Sequence, residues 1–297
     1  MPFPSSRRRL RLAGLSAGLC LAFLSLSLAS PAQEAQQGKK ESDSPPPGER
    51  VKLTLGQLFV PQGYVSQDGK VPLTLHLHGS PRILEEEFAR ARARGVLITV
   101  SLNGLSGVYK EKFPDGRTLD GILREAAEKL TALKVAEKPV IGQLTVSSFS
   151  AGFGGVREML RDDRAYDRID SLILADSLYC GYAEGISPPQ VDPKLMEGFL
   201  RFAKDAAAGK KTLMVSHCQL KPDGYASTAE TADYLLANLG LKRTIEDEEW
   251  IKGAWRCTSR CRLKGFHLAG FEGDQGKDHM KHLININKLY EEAGKKE

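Results

Sequence analysis

The sequence predicts an α/β protein with a mostly parallel central sheet and helices on both faces. From residue 51 onward, short apolar runs alternate with longer segments whose apolar residues recur at helical spacing. This alternation is typical of a parallel sheet covered by helices. Sites in such sheets form at the carboxyl ends of the strands. The polar residues that follow each apolar run are therefore the candidates for a functional site.

The first half of the chain opens with short strands and then alternates helices with strands. Apolar runs rich in Val, Ile and Leu predict buried strands, and the Ala-, Glu- and Arg-rich segments between them predict helices. The predicted strands are Val51–Leu55, Leu58–Val60, Leu73–Leu77, Val96–Ser101 and Val140–Val146. The predicted helices are Ile83–Ala93, Leu119–Leu133 and Gly154–Arg161, and Leu102–Gly116 is a predicted loop.

The second half repeats this alternation. Its predicted strands are Ile169–Ala175, Thr212–Ser216 and Leu263–Phe271, and its predicted helices are Lys194–Ala208, Ala229–Leu239 and His279–Glu292. The clearest helix boundaries surround the second of these helices. Ser227 or Thr228 is the expected N-cap, and Gly240 is the expected C-terminal stop.

The first 32 residues have the pattern of an export signal. Arginines at positions 7, 8, 9 and 11 precede an apolar stretch from Leu12 to Leu28, and Ser30 and Ala32 suit a cleavage after Ala32. A retained membrane anchor is the alternative, although the apolar stretch is short for a membrane span. The pattern predicts a secreted or periplasmic protein without membrane contact after cleavage.

Residues 33–50 predict a disordered linker, and residues 51–297 predict one domain. The linker is polar and proline-bearing and lacks apolar periodicity, whereas the remainder is long enough to bury a core. Removal of the signal lowers the formal net charge from +5 to +1, because the signal carries four arginines and no acidic residue. No basic stripe remains that would bind nucleic acid.

The stretch TVSSFSAGFGG, residues 145–155, places serines and glycines between an apolar strand and a helix. Within it, Ser148-Phe149-Ser150-Ala151-Gly152 resembles the Gly-x-Ser-x-Gly nucleophile elbow of the α/β-hydrolase superfamily, with Ser148 in place of the first glycine. Small neighbours are needed because the serine occupies a strained turn. The resemblance implies an α/β-hydrolase fold and makes Ser150 the candidate nucleophile.

The motif His78-Gly79-Ser80 follows an earlier predicted strand. In the superfamily, a His-Gly dipeptide at this point often starts the oxyanion loop, so the resemblance implies that the backbone amides of Ser80 and Ala151 bind the oxyanion. The stretch LFVPQGY, residues 58–64, is also similar to a segment near the start of secreted esterases and depolymerases of the superfamily. His76 and His78 share one strand face, which would suit a metal, but we predict no metal and no organic cofactor.

The superfamily order of serine, acid and histidine implies a base near the C-terminus. His279 is the candidate base, with Asp278 as the expected N-cap of the last helix, and His282 is the alternative one turn later. Asp176 is the candidate acid because it ends an apolar strand, where an unpartnered carboxylate would be costly to bury. Asp223, in a Pro-Asp-Gly turn after the next strand, is the alternative acid.

Four cysteines remain after the predicted cleavage, namely Cys180, Cys218, Cys257 and Cys261. Export permits disulfides. The predicted elements place Cys180 and Cys218 at matching strand ends and place Cys257 and Cys261 around a short turn, so these are the candidate pairs. A zinc site is disfavoured because no second ligand pair has suitable spacing.

Together, these features predict an exported serine hydrolase that cleaves an ester through an acyl-enzyme on Ser150. The expected partner is a small-molecule or polysaccharide-linked ester substrate. A serine peptidase or amidase is one alternative. A non-catalytic hydrolase-like module, which binds a ligand or a partner in the same pocket, is the other.

Overall fold

A sheet of ten strands runs through residues 44–295, which are the residues that this computed structural model describes. The strands are β1 (Gly48–Lys52), β2 (Gln57–Pro61), β3 (Lys70–Leu77), β4 (Val96–Val100), β5 (Val140–Phe149), β6 (Ser171–Ala175), β7 (Thr212–His217), β8 (Thr244–Ile251), β9 (Trp255–Leu263) and β10 (Phe266–Phe271). Their order is β1-β2-β4-β3-β5-β6-β7-β10-β9-β8. Neighbours from β4 across to β10 are parallel, and antiparallel pairs form both edges. The predicted mostly parallel sheet is confirmed.

Helices cover both faces of the sheet. They are α1 (Pro81–Arg90), α2 (Ser106–Lys112), α3 (Gly116–Ala132), α4 (Phe153–Arg161), α5 (Asp163–Arg168), α6 (Pro193–Ala207), α7 (Thr228–Leu239), α8 (Gly276–Ile284) and α9 (Ile286–Ala293). Alternate residues of β6 point to opposite faces, so Leu172 and Ile173 belong to different core clusters. Helices α2 to α7 pack into the cluster that contains Leu172, whereas α1, α8 and α9 pack into the other.

Three segments differ from the sequence-based prediction. The predicted loop Leu102–Gly116 contains helix α2, whose Tyr109 is fully buried. The chain before β10 forms the antiparallel hairpin of β8 and β9. The sequence pattern did not predict β8, because this strand is charged and largely exposed at the sheet edge. The predicted last helix is broken at Asn285, which has φ −130° and separates α8 from α9.

The boundary of the predicted linker also needs correction. Residues 48–50 begin β1, which pairs with β2, and Arg50 forms an ion pair with Glu85 at 2.7 Å. A strand at a sheet edge needs no fully apolar face, so its composition resembles that of a linker. The predicted signal and residues 33–43 of the predicted linker lie outside the described residues. None of the helices between residues 44 and 295 has the length and apolar character that a membrane crossing requires.

The predicted disulfide pairs do not form, because Cys180, Cys218, Cys257 and Cys261 are all free and buried. Cys257 and Cys261 lie four residues apart in extended β9, a separation of about 13 Å, which no disulfide can bridge. The thiol of Cys180 instead donates to the Asp192 carbonyl oxygen at 3.6 Å. The thiol of Cys218 donates to a carboxylate oxygen of Asp176 at 2.9 Å.

Candidate active site

Ser150 lies on a sharp turn at the carboxyl end of β5. The strand ends at Phe149, a single 3-10 turn covers Ser150–Gly152, and α4 follows at once. Ser150 has φ 47°, a left-handed conformation that costs a non-glycine residue about 1–2 kcal/mol. The turn places Ser150 in the wall of a pocket, the position that a strained nucleophile elbow requires.

The glycines after Ser150 allow close backbone contacts. A Cβ atom on Gly152 would lie 2.3 Å from the carbonyl oxygen of Leu77 in β3, and one on Gly154 would lie 2.2 Å from that of Ser106 in α2. Backbone atoms cannot swing aside as a flexible side chain can. The glycine at 152 is therefore required by the approach of the elbow to β3.

We expect Gly152→Ala to lower the free energy of unfolding by about 1–3 kcal/mol, because the new methyl group forces the elbow away from β3. Urea denaturation measures this loss. The matched control is Gly121→Ala in α3, where no described atom beyond its own helix backbone and chain neighbours lies within 4 Å of the added Cβ, and it should be neutral or slightly stabilising. Equal destabilisation of the two variants would contradict the packing argument.

Ser148 replaces the first glycine of the elbow motif and has a structural role. Its buried hydroxyl lies 2.8 Å from the Ser177 hydroxyl, which in turn donates to the Ser150 carbonyl oxygen at 2.8 Å. Because the Ser177 proton is directed to Ser150, Ser148 is the donor to Ser177. This chain of hydroxyls fixes the elbow carbonyl against the segment after β6.

His279 and Asp176 form a hydrogen-bonded pair. Nδ1 of His279 lies 2.7 Å from Oδ2 of Asp176. The ring of His279 stacks on that of Phe149, with centroids 4.4 Å apart, so the residue before Ser150 holds the imidazole against the elbow. His279 and Ser150 line the same pocket. The Ser150 hydroxyl makes no hydrogen bond to any residue between 44 and 295, which leaves it free to turn toward Nε2 of His279.

Asp176 is buried and held by hydrogen bonds to both of its oxygens. Oδ1 accepts from the Thr228 hydroxyl and, at 3.3 Å, from the Cys218 amide; Oδ2 accepts from the Cys218 thiol in addition to His279. Burial raises the pKa of the carboxyl, but the nearby His282 and the hydrogen bonds from His279 and Cys218 outweigh burial and lower this pKa below its ordinary value. Asp176 is therefore an ionised partner for His279.

The position of His279 in α8 differs slightly from prediction. The helix begins after Gln275, which is its N-cap and forms a capping box with Asp278. Asp278 is thus the third helical residue, and the predicted N-cap at Asp278 is wrong. His279 follows in the first turn, where its side chain reaches back to the end of β6.

The alternative base and acid lie elsewhere. His282 is fully buried, its Nδ1 is 2.8 Å from the Ser216 hydroxyl, and its ring meets those of Trp255 and Phe271 edge-on. Burial lowers the pKa of His282 to about 3, so the ring stays neutral. Asp223 is exposed, and neither residue is among those that line the pocket of Ser150. The structure places His279 both against Asp176 and in the pocket of Ser150, whereas His282 lies close to Asp176 but, like Asp223, does not line that pocket.

Two buried neutral histidines make folding sensitive to acid. Burial lowers the pKa of His76 and of His282 from 6.5 to about 3. Below pH 6.5 the unfolded chain binds protons at these positions and the folded chain does not, so stability is lost as the pH falls. The expected loss is about 1.4 kcal/mol per pH unit for each histidine. Urea denaturation of the wild type and of His282→Gln at pH 7.0, 5.5 and 4.5 tests this expectation, and an identical pH slope for the two proteins would contradict it.

The structure also accounts for His76 and for the group around Cys218. His76 donates from Nε2 to the His78 carbonyl oxygen at 2.9 Å and accepts at Nδ1 from the Ser147 hydroxyl at 2.7 Å, which stabilises the loop. Among the described residues, Asp176, Cys218 and His282 place potential metal-ligand atoms within 4.8 Å of one another. Burial and the nearby Asp176 raise the pKa of the Cys218 thiol. The thiol therefore keeps its proton and acts as a hydrogen-bond donor to the carboxylate.

The two predicted oxyanion-binding amides lie in different surroundings. Ala151 lines the pocket beside Ser150. Ser80 is the N-cap of α1 and follows His78 (φ 71°) and Gly79 (φ 141°), while the Ser101 hydroxyl donates to the Gly79 carbonyl oxygen. Ser80 is not among the residues that line the pocket as the structure describes it. The oxyanion-binding role of both amides stays a prediction.

The pocket has a volume of about 380 Å³ and a largely apolar, aromatic wall. Besides Ser150, Ala151 and His279, it is lined by Leu105, Ser106, Phe153, Arg157, Tyr179, Cys180, Gly181, Leu220 and Tyr225. The roles of Phe149, Thr228 and Cys218 in holding the pair of His279 and Asp176 have no local signal in the sequence. Thr228 is predicted only as a possible helix cap, and Ser227 has that role.

No protein-family model matches this chain, and the comparison with curated proteins gives no match. Similar solved structures include an enterobactin esterase from Shigella flexneri (13% identity, TM-score 0.48, 84% of this chain and 61% of that chain). They also include the siderophore hydrolase EstB from Aspergillus nidulans (15% identity, TM-score 0.46, 87% of this chain and 99% of that chain). A third is the carboxylesterase CesB from Bacillus subtilis (9% identity, TM-score 0.41, 89% of this chain and 97% of that chain). This chain thus spans 61% of the length of the Shigella flexneri protein. The strand order and the turn from strand to helix at Ser150 are those of the α/β-hydrolase fold, which the resemblance of the sequence implied.

Proposed function

We propose that this protein is a serine hydrolase that cleaves carboxylic esters. The observation that carries the proposal is the hydrogen bond of 2.7 Å between His279 and Asp176, beside a serine held at φ 47° in the wall of the same pocket. A serine, an imidazole and a buried carboxylate so arranged are the groups that acyl transfer requires.

In the proposed reaction, Asp176 accepts the Nδ1 proton of His279 in a hydrogen bond and so leaves Nε2 unprotonated. Nε2 takes the Ser150 proton as the Ser150 oxygen attacks the ester carbonyl carbon. The protonated imidazole then gives this proton to the departing alcohol, and an acyl group remains on Ser150. Water attacks the acyl carbon with Nε2 as base, and return of the proton to Ser150 releases the carboxylic acid.

The negative charge on the carbonyl oxygen develops next to the start of α4. We assign its stabilisation to the backbone amide of Ala151, which is in the pocket wall, and to that of Ser80 on the neighbouring loop. Amides fixed in this way require little reorganisation during the reaction.

The pocket supports an ester with an apolar or aromatic part. Its aromatic side chains contact one another, with the rings of Phe153 and Tyr179 and those of Tyr179 and Tyr225 each at 5.7 Å between centroids. A volume of about 380 Å³ holds a small molecule or the acyl end of a larger one, including an acyl group on a polysaccharide.

We also propose that the protein is exported, which the pattern of residues 1–32 supports. N-terminal sequencing of the mature protein tests this proposal. A mature chain that starts at Gln33 would agree with export, and an intact N-terminus would contradict it.

The direct experiment compares p-nitrophenyl esters of increasing acyl length with the matched p-nitroanilides. We expect hydrolysis of the esters and much slower hydrolysis of the anilides. Fast cleavage of the anilides would instead identify an amidase. A folded protein that hydrolyses neither series would contradict the proposal and favour a binding module.

A further inference from the structure

A cationic side chain lines the pocket beside the proposed nucleophile. Arg157 lies in α4, seven residues after Ser150 and about two helical turns away. Its Nη2 donates to the Tyr179 carbonyl oxygen at 2.8 Å, and its guanidinium lies 4.9 Å from the centre of the Phe153 ring. These contacts fix the guanidinium in the wall of the pocket.

No carboxylate oxygen of residues 44–295 lies within 4.0 Å of the Arg157 guanidinium, and its buried Nε atom has no hydrogen-bond partner among those residues. Burial lowers the pKa of the guanidinium from its ordinary value, although the nearby Cys180, Glu158 and Asp192 act in the opposite direction. Arg161, one turn later in the same helix, is the contrasting case. It pairs with Glu158 at 3.0 Å and is about half exposed.

The rest of the pocket does not supply a negative charge. Apart from Arg157, its lining, in the part of the chain that the structure describes, contains aromatic, aliphatic, glycine and hydroxyl residues with Cys180 and His279, but no aspartate or glutamate. A partly buried cation without a carboxylate partner is costly unless a ligand completes it. The pocket therefore combines an apolar body with one positive charge near Ser150 that no carboxylate of the lining pairs with.

We propose that Arg157 binds a carboxylate of the substrate, so that the enzyme prefers esters that carry a negative charge beside an apolar or aromatic part. This inference rests on the proposed ester hydrolysis and adds the substrate class. The guanidinium suits a carboxylate because its fork of N–H donors matches the two oxygens. A phosphate or sulfate would meet the same donors, and those anions serve as further probes.

The test uses pairs of esters in which one carboxyl group is ionised in one member and methylated in the other. In the first pair the charge is on the acyl group, and the α-naphthyl half-ester of glutaric acid is compared with its methyl-capped diester. In the second pair the charge is on the leaving group, and 4-acetoxybenzoate is compared with methyl 4-acetoxybenzoate. In at least one pair we expect the wild type to favour the anionic ester in kcat/KM. The variant Arg157→Gln should reduce that anionic-to-neutral ratio by about 10- to 100-fold, and Arg157→Lys should restore part of it.

The matched control is Arg161→Gln, which removes a cation from the same helix and should leave the ratio unchanged. If Arg157 were only structural, its loss would lower kcat/KM equally for both members of a pair. An unchanged ratio in Arg157→Gln, or a wild type that prefers the neutral ester in both pairs, would overturn the inference. A wild type that hydrolyses no ester would overturn the proposed function itself, so the two failures are distinguishable.

Discussion

Ser150→Ala should reduce kcat for ester hydrolysis by about 10⁴-fold or more while the protein stays folded. The substitution removes the atom that forms the acyl-enzyme, and only the binding of substrate and of the oxyanion would remain. The fold should tolerate the change, because the Ser150 hydroxyl makes no hydrogen bond to the described residues and alanine keeps the same backbone constraint at φ 47°. The rate of p-nitrophenol release from a p-nitrophenyl ester measures the loss of kcat, and circular dichroism checks that the variant is folded.

A control for this variant is available at the opposite end of the sheet. The hydroxyl of Ser66 donates to the Lys70 carbonyl oxygen in the turn that leads into β3. This turn lies at the amino end of β3, whereas the carboxyl end of β3 faces the elbow. Ser66→Ala should keep wild-type activity. A Ser150→Ala protein that is folded and retains a tenth of the wild-type rate would exclude Ser150 as the nucleophile.

Asp176→Asn should reduce kcat by about 10³- to 10⁴-fold, because it changes the tautomer of His279. An asparagine amide donates to Nδ1, which leaves the proton on Nε2 and prevents that atom from accepting the Ser150 proton. Asparagine tolerates the left-handed backbone of this position, φ 45°, so the turn should survive. The carboxylate also accepts from Cys218 and Thr228, and we expect a stability loss of about 1–3 kcal/mol from this mismatch.

The matched control is Asp223→Asn. Asp223 is exposed and outside the pocket lining, and its substitution should leave kcat within about twofold of wild type. Kinetics at saturating substrate, with urea denaturation of both variants, separate the loss of catalysis from the loss of stability. A large kcat loss in Asp223→Asn together with an active Asp176→Asn protein would reverse the assignment of the acid.

The positions of Ser150, Asp176 and His279 could be predicted because each has a local signal. Two of them directly follow buried strands, and the third lies in the first turn of the helix after the last strand. In a parallel sheet such positions converge at one edge, and the resemblance to the superfamily supplied the order of serine, acid and histidine along the chain. The strained turn at Ser150 was likewise predictable from the small residues around it.

The contacts that support these residues could not be predicted, because they join distant segments. Thr228 reaches Asp176 across 52 residues of chain, and Cys218 does so across 42. The spacing of Cys257 and Cys261 suggested a turn, yet both lie in a strand whose edge neighbour β8 is too charged to be recognised. Arg157 and Arg161 look alike in the sequence, and only the packing of α4 shows that, among the described residues, Arg161 pairs with a carboxylate and Arg157 does not.

Treatment with a fluorophosphonate, followed by peptide mass mapping, is the most direct measurement of how this protein reacts. We expect one phosphonyl adduct on the peptide that contains Ser150, no adduct in Ser150→Ala, and a strongly reduced labelling rate in His279→Ala. A folded wild-type protein that stays unmodified, or that carries its adduct on a different residue, would contradict a nucleophilic Ser150 activated by His279.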